Sequence, residues 1–344
     1  MTYYTALDVS LRSVSICVID EEGRVRHEAK VAAEIADIVV SLRGFSVEIK
    51  TVALEAGPLS QYLTYGLQRA GFEVVCLEAR QVNAALSAMR NKTDRNDARG
   101  IAQILRAGWY SRVHIKSLES HQLRALLSSR RAILKKCVDL ENEVRGLLRI
   151  FGVRLAPRVA HGAYDAVVRP LIEADPSLAR ALVPLLDARE VMYRTYLKLD
   201  NEVKALVRED AICRRLMTVP GVGAITALTF KAAVDDPRRF KSSRTVAAHF
   251  GLTPRRYQSG ETDDPGHISK AGDAEVRCAL YTAAHALLVR VGGWSSLKAW
   301  GLRLSKTRGH RRAVIAVARK LAVILHKMWV QGVDFRWGPE EAMA

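Results

Sequence analysis

Residues 2–20 read TYYTALDVSLRSVSICVID and contain two apolar runs of the kind that form β-strands. The first run, 2–8, ends on Asp8, and the second, 13–20, follows after a short polar segment. An acidic residue at the end of a buried strand is costly unless a positive charge pairs with it. This stretch therefore predicts two neighbouring strands and makes Asp8 a candidate functional residue.

The segments that follow alternate between helix and strand patterns. Glu21-Glu22-Gly23 predicts a turn, and Arg24 to Lys30 predicts a third, more polar strand. Further elements are predicted in the order helix, strand, helix, strand, helix, at residues 31–43, 51–55, 59–70, 72–77 and 94–107. Alternating strands and helices after an N-terminal antiparallel meander indicate an α/β layer domain.

Four carboxylates hold special positions in this predicted domain: Asp8, Glu55, Asp94 and Asp97. Glu55 ends the apolar run Thr51-Val52-Ala53-Leu54, and the last two acids lie three apart at the start of a helix. That spacing projects both from one helix face, where the helix dipole favours their charge. Hard oxygen ligands suit Mg²⁺, with Mn²⁺ as an alternative, and two such ions can drive phosphodiester chemistry. The quartet therefore predicts a two-metal site.

Each acid also has a structural interpretation. Asp8 can be a turn former, and Asp94 can be a helix N-cap with Asp97 at its third position. Actin-like ATPases and sugar kinases also open with a strand, an Asp and a hairpin, but they need a later Asp-x-Gly hairpin, which we do not find. The occurrence of all four acids in this order favours the metal site.

The charge balance indicates a polyanionic partner. The 344 residues include 53 Lys+Arg against 36 Asp+Glu, a formal net charge of +17, which suits nucleic acid or an anionic membrane surface. No stretch approaches the roughly 20 apolar residues of a membrane-spanning helix, and the N-terminus lacks a signal-peptide pattern. Five scattered cysteines without a CxxC indicate neither a zinc site nor a disulfide framework. We therefore expect a cytoplasmic protein that binds nucleic acid.

Two heptad patterns follow in the middle of the chain. One runs from Leu123 to Phe151 and is interrupted only by Arg130; the other runs from Leu178 to Leu206 and is interrupted only by Arg189. They fit either an intramolecular antiparallel hairpin or an oligomerisation element. The length of the helices favours oligomerisation, so we assign 113–208 to a coiled-coil region.

The remaining segments divide as follows. Residues 152–177 form a predicted connector rich in Gly and Pro, and Pro184 is expected to kink or start the second long helix. Residues 209–335 form a mostly helical block before a tail at 336–344. Its helices are predicted, around an irregular stretch at 251–272, at 212–218, 223–233, 242–250, 273–291 and 310–332.

Pro220-Gly221-Val222-Gly223 lies between two short apolar helices and fits a helix-hairpin-helix turn. Glycine lets a backbone approach a phosphate closely, and the second helix offers free N–H groups to it. Such a contact does not depend on base sequence. The alternative is a plain packing corner.

A glycine-rich loop spans residues 255–273. Ser259 lies beside Arg255, Arg256 and Gly260, a setting in which a hydroxyl can attack a phosphate held by arginines. The residues alone favour an ordinary β-hairpin with a solvated serine.

A basic face follows at the C-terminal end, and it fits either phosphate contact or a solvated surface helix. Downstream of Trp294 and Trp300 it contains Arg303, Lys306, Arg308, His310, Arg311, Arg312, Arg319 and Lys320. The candidate nucleic-acid contacts over the whole chain are Lys92, Gly221, Gly223, Arg255, Arg256, Lys270, Arg308, Arg311 and Arg312.

Together these motifs resemble transposases of the insertion-sequence 110 family. Asp8, Glu55 and Lys92-Thr93-Asp94-Arg95-Asn96-Asp97-Ala98 resemble the DEDD motif of that family. The block from the Pro-Gly-Val-Gly turn through Ser259 to Gly266-His267-Ile268-Ser269-Lys270-Ala271-Gly272-Asp273 resembles its C-terminal transposase domain. The resemblance covers almost the whole chain.

The resemblance implies a fold and an activity. Residues 1–112 would form an RNase H-like domain of RuvC type that binds Mg²⁺ through the four acids. The protein would be a recombinase that excises and inserts its own element, guided by a structured bridge RNA that pairs with donor and target DNA. A serine, Ser259 by motif position or else Ser269, would complete the site and become linked to DNA.

The resemblance also implies partners and a location. DNA, the guide RNA and further copies of the chain, as a dimer or tetramer, would be its partners in the prokaryotic cytosol at the nucleoid. Two other functions stay open. A RuvC-like structure-specific endonuclease would use the acids with water and would not need Ser259, and a non-catalytic nucleic-acid-binding protein would need no metal.

Overall fold

The computed structural model describes residues 2–45, 47–49, 51–89, 91–259 and 262–338. Within these ranges it does not describe the side chains of Arg256, Tyr257, Ser259 and residues 262–265. The chain forms two compact units, Met1–Lys116 and Ser117–Ala344. In the described ranges, no helix is long and apolar enough to cross a membrane. All five cysteines are free thiols, and only Cys278 is exposed.

The first unit is built on a mixed five-stranded sheet. Its strands are β1 (Tyr4–Val9), β2 (Ser13–Ile19), β3 (Val25–Ala32), β4 (Thr51–Glu55) and β5 (Glu73–Leu77). The strand order is β3-β2-β1-β4-β5. The first three strands pair antiparallel, whereas β4 pairs parallel with both β1 and β5. The predicted meander and α/β domain are therefore confirmed.

Helices lie against this sheet: α1 (Ile35–Arg43), α2 (Ser60–Arg69), α3 (Ala79–Leu86) and α4 (Asp94–Ala107). Ala98, Ile101, Ala102 and Leu105 of α4 are buried with apolar residues of the strands, as their helical spacing predicts. The predicted helix start at residue 31 is wrong, because β3 continues to Ala32 by pairing with β2. Helix α3 was not predicted.

The second unit is mainly helical. Its helices are α5 (Leu118–Ile150), α6 (Tyr164–Glu173), α7 (Pro176–Glu209), α8 (Ala211–Leu216), α9 (Ala224–Val234), α10 (Ser243–His249), α11 (Ala274–Val289), α12 (Ser296–Arg308) and α13 (His310–Gln331). Strands β6 (Pro254–Ser259) and β7 (Thr262–Ile268) pair antiparallel. The stretch predicted as irregular thus contains the β-hairpin that the residues around Ser259 favour. Helices α6 and α12 lie where no helix was predicted.

The two heptad segments pack against each other within the chain. Arg130 of α5 donates to Asp200 of α7 through Nε at 2.7 Å, and Arg189 of α7 donates to Glu141 of α5 through Nε at 3.0 Å. The pairing is antiparallel, because Glu141 lies after Arg130 in α5 whereas its partner Arg189 lies before Asp200 in α7. Both arginines that interrupt the heptads therefore have partners in the same chain. An oligomerisation role stays a prediction.

The contact face of α7 departs from the strict heptad. Leu206 is 38% exposed, whereas the next residue, Val207, is buried. A straight α-helix drifts relative to a seven-residue repeat, so the buried stripe moves by one position along a long helix. Pro184 does not start α7, which begins at Pro176 behind the N-cap Asp175.

Candidate functional site

Asp8 and Glu55 are brought together by two adjacent parallel strands. Leu7 of β1 is the register partner of Leu54 of β4, so the acids that follow them emerge at the same edge of the sheet. Both line a cleft of about 330 Å³, together with the loop that follows β4. The buried runs before each acid hold the strands in register, because a slip by one residue would turn the apolar side chains outward.

Asp97 is presented to the same edge by α4. Thr93 is the N-cap of this helix, and its Oγ1 accepts a hydrogen bond from the backbone N–H of Asn96 at 3.2 Å. The alternative in which Asp94 is the N-cap is therefore wrong. Asp94 and Asp97 both belong to the first turn, where backbone N–H groups favour negative charge.

The carboxylates share one electrostatic environment. Burial, followed by the negative charges of Asp97 and Asp94, raises the pKa of Asp8 to about 6 against the opposing effect of Lys92 and Lys30. The pKa of Glu55 is also raised, first by burial and then by Asp8 and Asp97. These acids therefore repel one another at the sheet edge.

Asp94 differs from the other three acids because it has a cationic partner. Lys30 of β3 donates from Nζ to Asp94 Oδ2 at 2.8 Å, and this contact holds the pKa of Asp94 below its usual range. Both residues line a second cleft, of about 530 Å³. The sequence did not point to Lys30, since its partner lies 64 positions away.

A second pairing ties β3 to α4. Glu28 accepts from Arg99 Nε at 2.6 Å and from Arg95 Nε at 2.7 Å. These hydrogen bonds lower the pKa of Glu28 to about 2. They were also missed from the sequence, although the spacing of Arg95 and Arg99 by four on one helix face was a visible signal.

The donor set suits a divalent cation. Asp8, Glu55 and Asp97 have neither an ion pair nor a hydrogen bond to their carboxylates within the described residues, although all three are half-buried. Half-buried anions without partners are costly, and carboxylate oxygens are preferred ligands of hard cations. Over the same residues, no three His, Cys, Asp or Glu side chains converge closely enough to hold an ion as they stand. Metal binding would therefore require the carboxylates to draw closer together.

The predicted serine lies in the second unit. Ser259 is the last residue of β6 and the register partner of Thr262; its side chain and Gly260 lie outside the described residues, as does the side chain of Arg256. Arg255 is exposed, and its guanidinium donates to the backbone oxygen of Ser269 at 3.4 Å. Ser269 itself accepts from the N–H of Ala271 at 3.4 Å, a contact that helps to form the turn after β7.

Two glycines of the predicted motifs serve the internal packing of this unit. A Cβ on Gly221 would lie 2.5 Å from the backbone oxygen of Ala283, and one on Gly272 would lie 2.1 Å from that of His249. Both glycines also have positive φ, as does Lys270 in the turn before Gly272. Gly223, in contrast, is exposed as the N-cap of α9 and has no atom near its Cβ position. Of the two turn glycines, only Gly223 thus has the open backbone that a phosphate contact needs.

The basic candidates lie on the surface. Lys92 is exposed just before α4 and lowers the pKa of both Asp8 and Glu55 by its charge. Arg308 ends α12, and Arg311 and Arg312 lie in the first turn of α13. All four side chains are exposed and suit contact with an anionic partner.

Comparison with known proteins identifies the family. Residues 5–152 match the family model DEDD_Tnp_IS110, described as a transposase, and residues 213–300 match the model of the transposase IS116/IS110/IS902 family. The chain is 32% identical over 346 residues to the transposase for insertion sequence element IS1111A of Coxiella burnetii, covering 96% of this chain and 91% of the relative. The chain belongs to the IS110 family of transposases.

Other relatives agree with this assignment. A probable family 20 transposase of Pseudomonas aeruginosa is 28% identical over 83% of this chain and 86% of its own length. The transposase for insertion sequence element IS1328 of Yersinia enterocolitica is 27% identical over 83% of this chain and 85% of its own length.

The IS110 transposase is therefore an enzyme that acts on DNA. The DEDD match includes Asp8, Glu55, Asp94 and Asp97, and a DEDD transposase domain suggests the use of a divalent metal ion. The second match includes the Pro-Gly-Val-Gly turn and the hairpin that carries Ser259. The predicted family is thus confirmed by residues from both units.

Proposed function

We propose that this transposase excises and inserts its own element by Mg²⁺-dependent cleavage and exchange of DNA strands. The observation that carries the proposal is the placement of Asp8 and Glu55 at one sheet edge with Asp97 in the same electrostatic environment. The strand order β3-β2-β1-β4-β5 supports an RNase H-like domain of RuvC type. In this proposal Asp8, Glu55, Asp94 and Asp97 hold the ions, with Mn²⁺ as an alternative to Mg²⁺.

The bound ions would neutralise the repulsion among the acids and polarise the phosphate that is attacked. Ser259 is the proposed nucleophile. Its Oγ–phosphorus bond forms as the bond from phosphorus to a sugar oxygen breaks; the serine proton passes to a base at the site, and the leaving oxygen takes up a proton. Attack by a sugar hydroxyl of another strand reverses these steps and releases the serine. Ser269 is the weaker candidate, because its side chain already takes part in a turn.

The proposal requires the acids of the first unit to meet the serine of the second, either in one chain or between copies. Assembly of copies is proposed through the α5–α7 hairpin. Large apolar side chains on that hairpin remain exposed, among them Val191 at 66% and Leu197 at 39%. Burial of such side chains would favour association by roughly 25 cal/mol per Å².

A structured guide RNA is proposed as a further partner, with target choice made by base pairing. The net charge of +17 supports a protein that holds more than one nucleic-acid strand. Lys92, Arg308, Arg311 and Arg312 are the proposed phosphate contacts, joined by Gly223 in the turn before α9, where the turn and its flanking helices would act as a helix-hairpin-helix. Arg255, Arg256 and Lys270 complete the set of proposed contacts, whereas Gly221 packs against the backbone of Ala283 and is not among them.

Strand exchange between a donor plasmid and a target plasmid, with and without RNA transcribed from the element, tests the proposal. We expect Asp8→Asn, Glu55→Gln, Asp97→Asn and Ser259→Ala each to lower exchange by several orders of magnitude. Arg290→Gln, at the exposed residue that follows α11, should leave exchange unchanged. Exchange that needs no divalent cation would overturn the metal assignment. Cleavage that survives in Ser259→Ala without a covalent protein–DNA adduct would instead identify a structure-specific nuclease that uses water.

A further inference from the structure

A cavity of about 670 Å³ opens in the second unit beside the base of the β6–β7 hairpin. Its wall includes Pro254 and Ile268, the first residue of β6 and the last of β7. Its floor is apolar and includes Trp300, Ile315 and Val323. A cavity of this volume is in the range that encloses small organic groups.

The rim of the cavity is strongly basic. Arg244, Arg312, Arg319 and Lys320 line it, and no acidic residue does. None of the four forms an ion pair with any described residue, and all four are exposed. Uncompensated cations around an apolar floor complement a ligand that has a flat apolar part and a negative charge.

The arrangement follows from one face of α13. Arg312, Ala316, Arg319 and Val323 are spaced by four, three and four, so they lie along the same side of the helix. Lys320 lies over the ring of Trp300 at 4.1 Å from its centroid. This contact holds the ammonium at the rim, where its three donors can reach a base carbonyl or a phosphate oxygen.

We propose that this cavity binds one unpaired nucleotide of a DNA strand, with the base on the apolar floor and its phosphate between Arg312 and Arg319. A base within a duplex is stacked on its neighbours and cannot enter such a cavity, whereas an unstacked base can. The nucleotide therefore comes from a strand that is open at this point.

The choice of DNA rests on the proposed function of Ser259. Pro254 borders the cavity, and Ser259 lies five residues further along the same strand, a distance of about 17 Å at roughly 3.3 Å per residue. That distance spans a few nucleotides of an extended strand. The cavity would thus hold the attacked strand close to the point of attack and keep it from re-pairing.

Binding of labelled oligonucleotides to the full chain without divalent cations tests the proposal. The probes are a thymidine oligonucleotide of about twelve nucleotides, within the usual site size of single-strand binders, and an abasic oligonucleotide of the same length and charge. We expect the wild-type chain to bind the thymidine probe roughly tenfold more tightly, as base stacking on a protein surface typically contributes.

Ala316→Phe fills the cavity without changing the charge. We expect this variant to lose the preference for the thymidine probe while its affinity for the abasic probe stays the same, which also shows that it is folded. Arg319→Gln should weaken the binding of both probes. The matched charge control is Arg290→Gln, at an exposed position at the end of α11 and outside the cavity, which should keep the tenfold preference.

Equal binding of the two probes by the wild-type chain, or a preference that persists in Ala316→Phe, would overturn the proposal. A uridine RNA probe that binds more tightly than thymidine and loses this advantage in Ala316→Phe would make RNA the occupant instead. A change of oligomeric state in Ala316→Phe would assign the cavity to a second copy of the chain. The assay measures no strand joining, so its outcome is independent of whether Ser259 is the nucleophile.

Discussion

Lys30 donates a hydrogen bond from Nζ to Asp94 Oδ2 at 2.8 Å, so one acid of the DEDD quartet is already neutralised by the protein itself. In the proposed mechanism Asp94 would hold a metal ion, which would compete with this ammonium for the carboxylate. Asp94 is about half exposed and Lys30 is more exposed. Burial therefore does not hinder the replacement of the ammonium by a metal ion. The pair therefore sets up a competition between Lys30 and the metal.

Lys30→Gln removes the competing ammonium. We expect the Mg²⁺ concentration for half-maximal strand exchange to fall about two- to fivefold, the modest effect that is typical of an exposed ion pair. A titration with Mg²⁺ at fixed DNA measures this shift. Lys30→Arg, which keeps the charge, serves as the control and should stay near the wild type. A rise in the Mg²⁺ requirement of Lys30→Gln would contradict the competition.

Asp8→Asn should stabilise the metal-free protein while it abolishes strand exchange. Burial and the neighbouring acids raise the pKa of Asp8 to about 6, which means that its negative charge opposes folding at neutral pH. We expect the Tm of the metal-free protein to rise by on the order of a few degrees, as measured by calorimetry in a chelating buffer. Glu22→Gln, at an exposed turn of the same unit, is the matched control.

Divalent cations should reverse this order of stability. Mg²⁺ that binds to the folded acids stabilises the wild-type chain by mass action, whereas Asp8→Asn lacks one of the ligands. We expect the Tm of the wild-type chain to increase with Mg²⁺ and that of Asp8→Asn to increase less. Equal increases for both chains would remove Asp8 from the metal site.

The buried ion pair between Arg189 and Glu141 should be essential to the α5–α7 hairpin. Arg189 is 1% exposed, and it also donates to the backbone oxygen of His161 in the segment between the helices. Arg189→Met removes the guanidinium from the buried Glu141, whose carboxylate also lies 2.8 Å from His161 Nδ1. Loss of one partner of a buried ion pair typically costs about 3–5 kcal/mol. Urea unfolding measures the loss.

The double variant Arg189→Met/Glu141→Met provides the comparison. Removal of both charges leaves no unpaired ion, so we expect it to be more stable than Arg189→Met alone. The pair between the exposed Arg194 and the half-buried Glu190, on the same helix, is the control. Arg194→Met should change stability by less than about 1 kcal/mol. Similar losses for Arg189→Met and Arg194→Met would mean that burial of the pair is unimportant.

The stability of the second unit should fall on acidification because of His326. Its Nε2 donates to the backbone oxygen of Pro237 at 2.8 Å, and its Nδ1 lies 2.9 Å from Ser243 Oγ. Burial lowers the pKa of His326 below its usual value of 6.5. The unfolded chain then binds a proton more readily than the folded chain. The contribution of His326 to the stability of the folded unit is therefore fully present above about pH 6.5 and is lost as the pH falls below that value.

His326→Gln keeps a donor and an acceptor but cannot be protonated. We expect the decline in Tm below about pH 6.5 to be smaller in this variant than in the wild type, with the difference absent at pH 8. Calorimetry across this range measures the effect. His114→Gln, in the first unit, serves as the control. In this variant the Tm of the second unit should depend on pH as it does in the wild type.

The elements that position the acids follow from local patterns in the sequence. The apolar runs before Asp8 and Glu55 predict the two strands, and the spacing of Ala98, Ile101, Ala102 and Leu105 predicts α4 with its buried face. These patterns are reliable because each depends only on residues close together in the chain. The residues around Ser259 also favour a β-hairpin from their local composition, and the antiparallel pairing of β6 with β7 confirms it.

The presence of four acids in order, their placement at strand ends and a helix start, and the resemblance to a transposase family all come from the printed residues. Only the tertiary structure distinguishes the acids from one another: Asp8, Glu55 and Asp97 are left without partners among the described residues, whereas Asp94 is paired with Lys30. The reason is physical. Ion pairing depends on which side chains the antiparallel pairing of β2 and β3 brings next to α4, and no periodicity in the sequence encodes a contact between residues 64 positions apart.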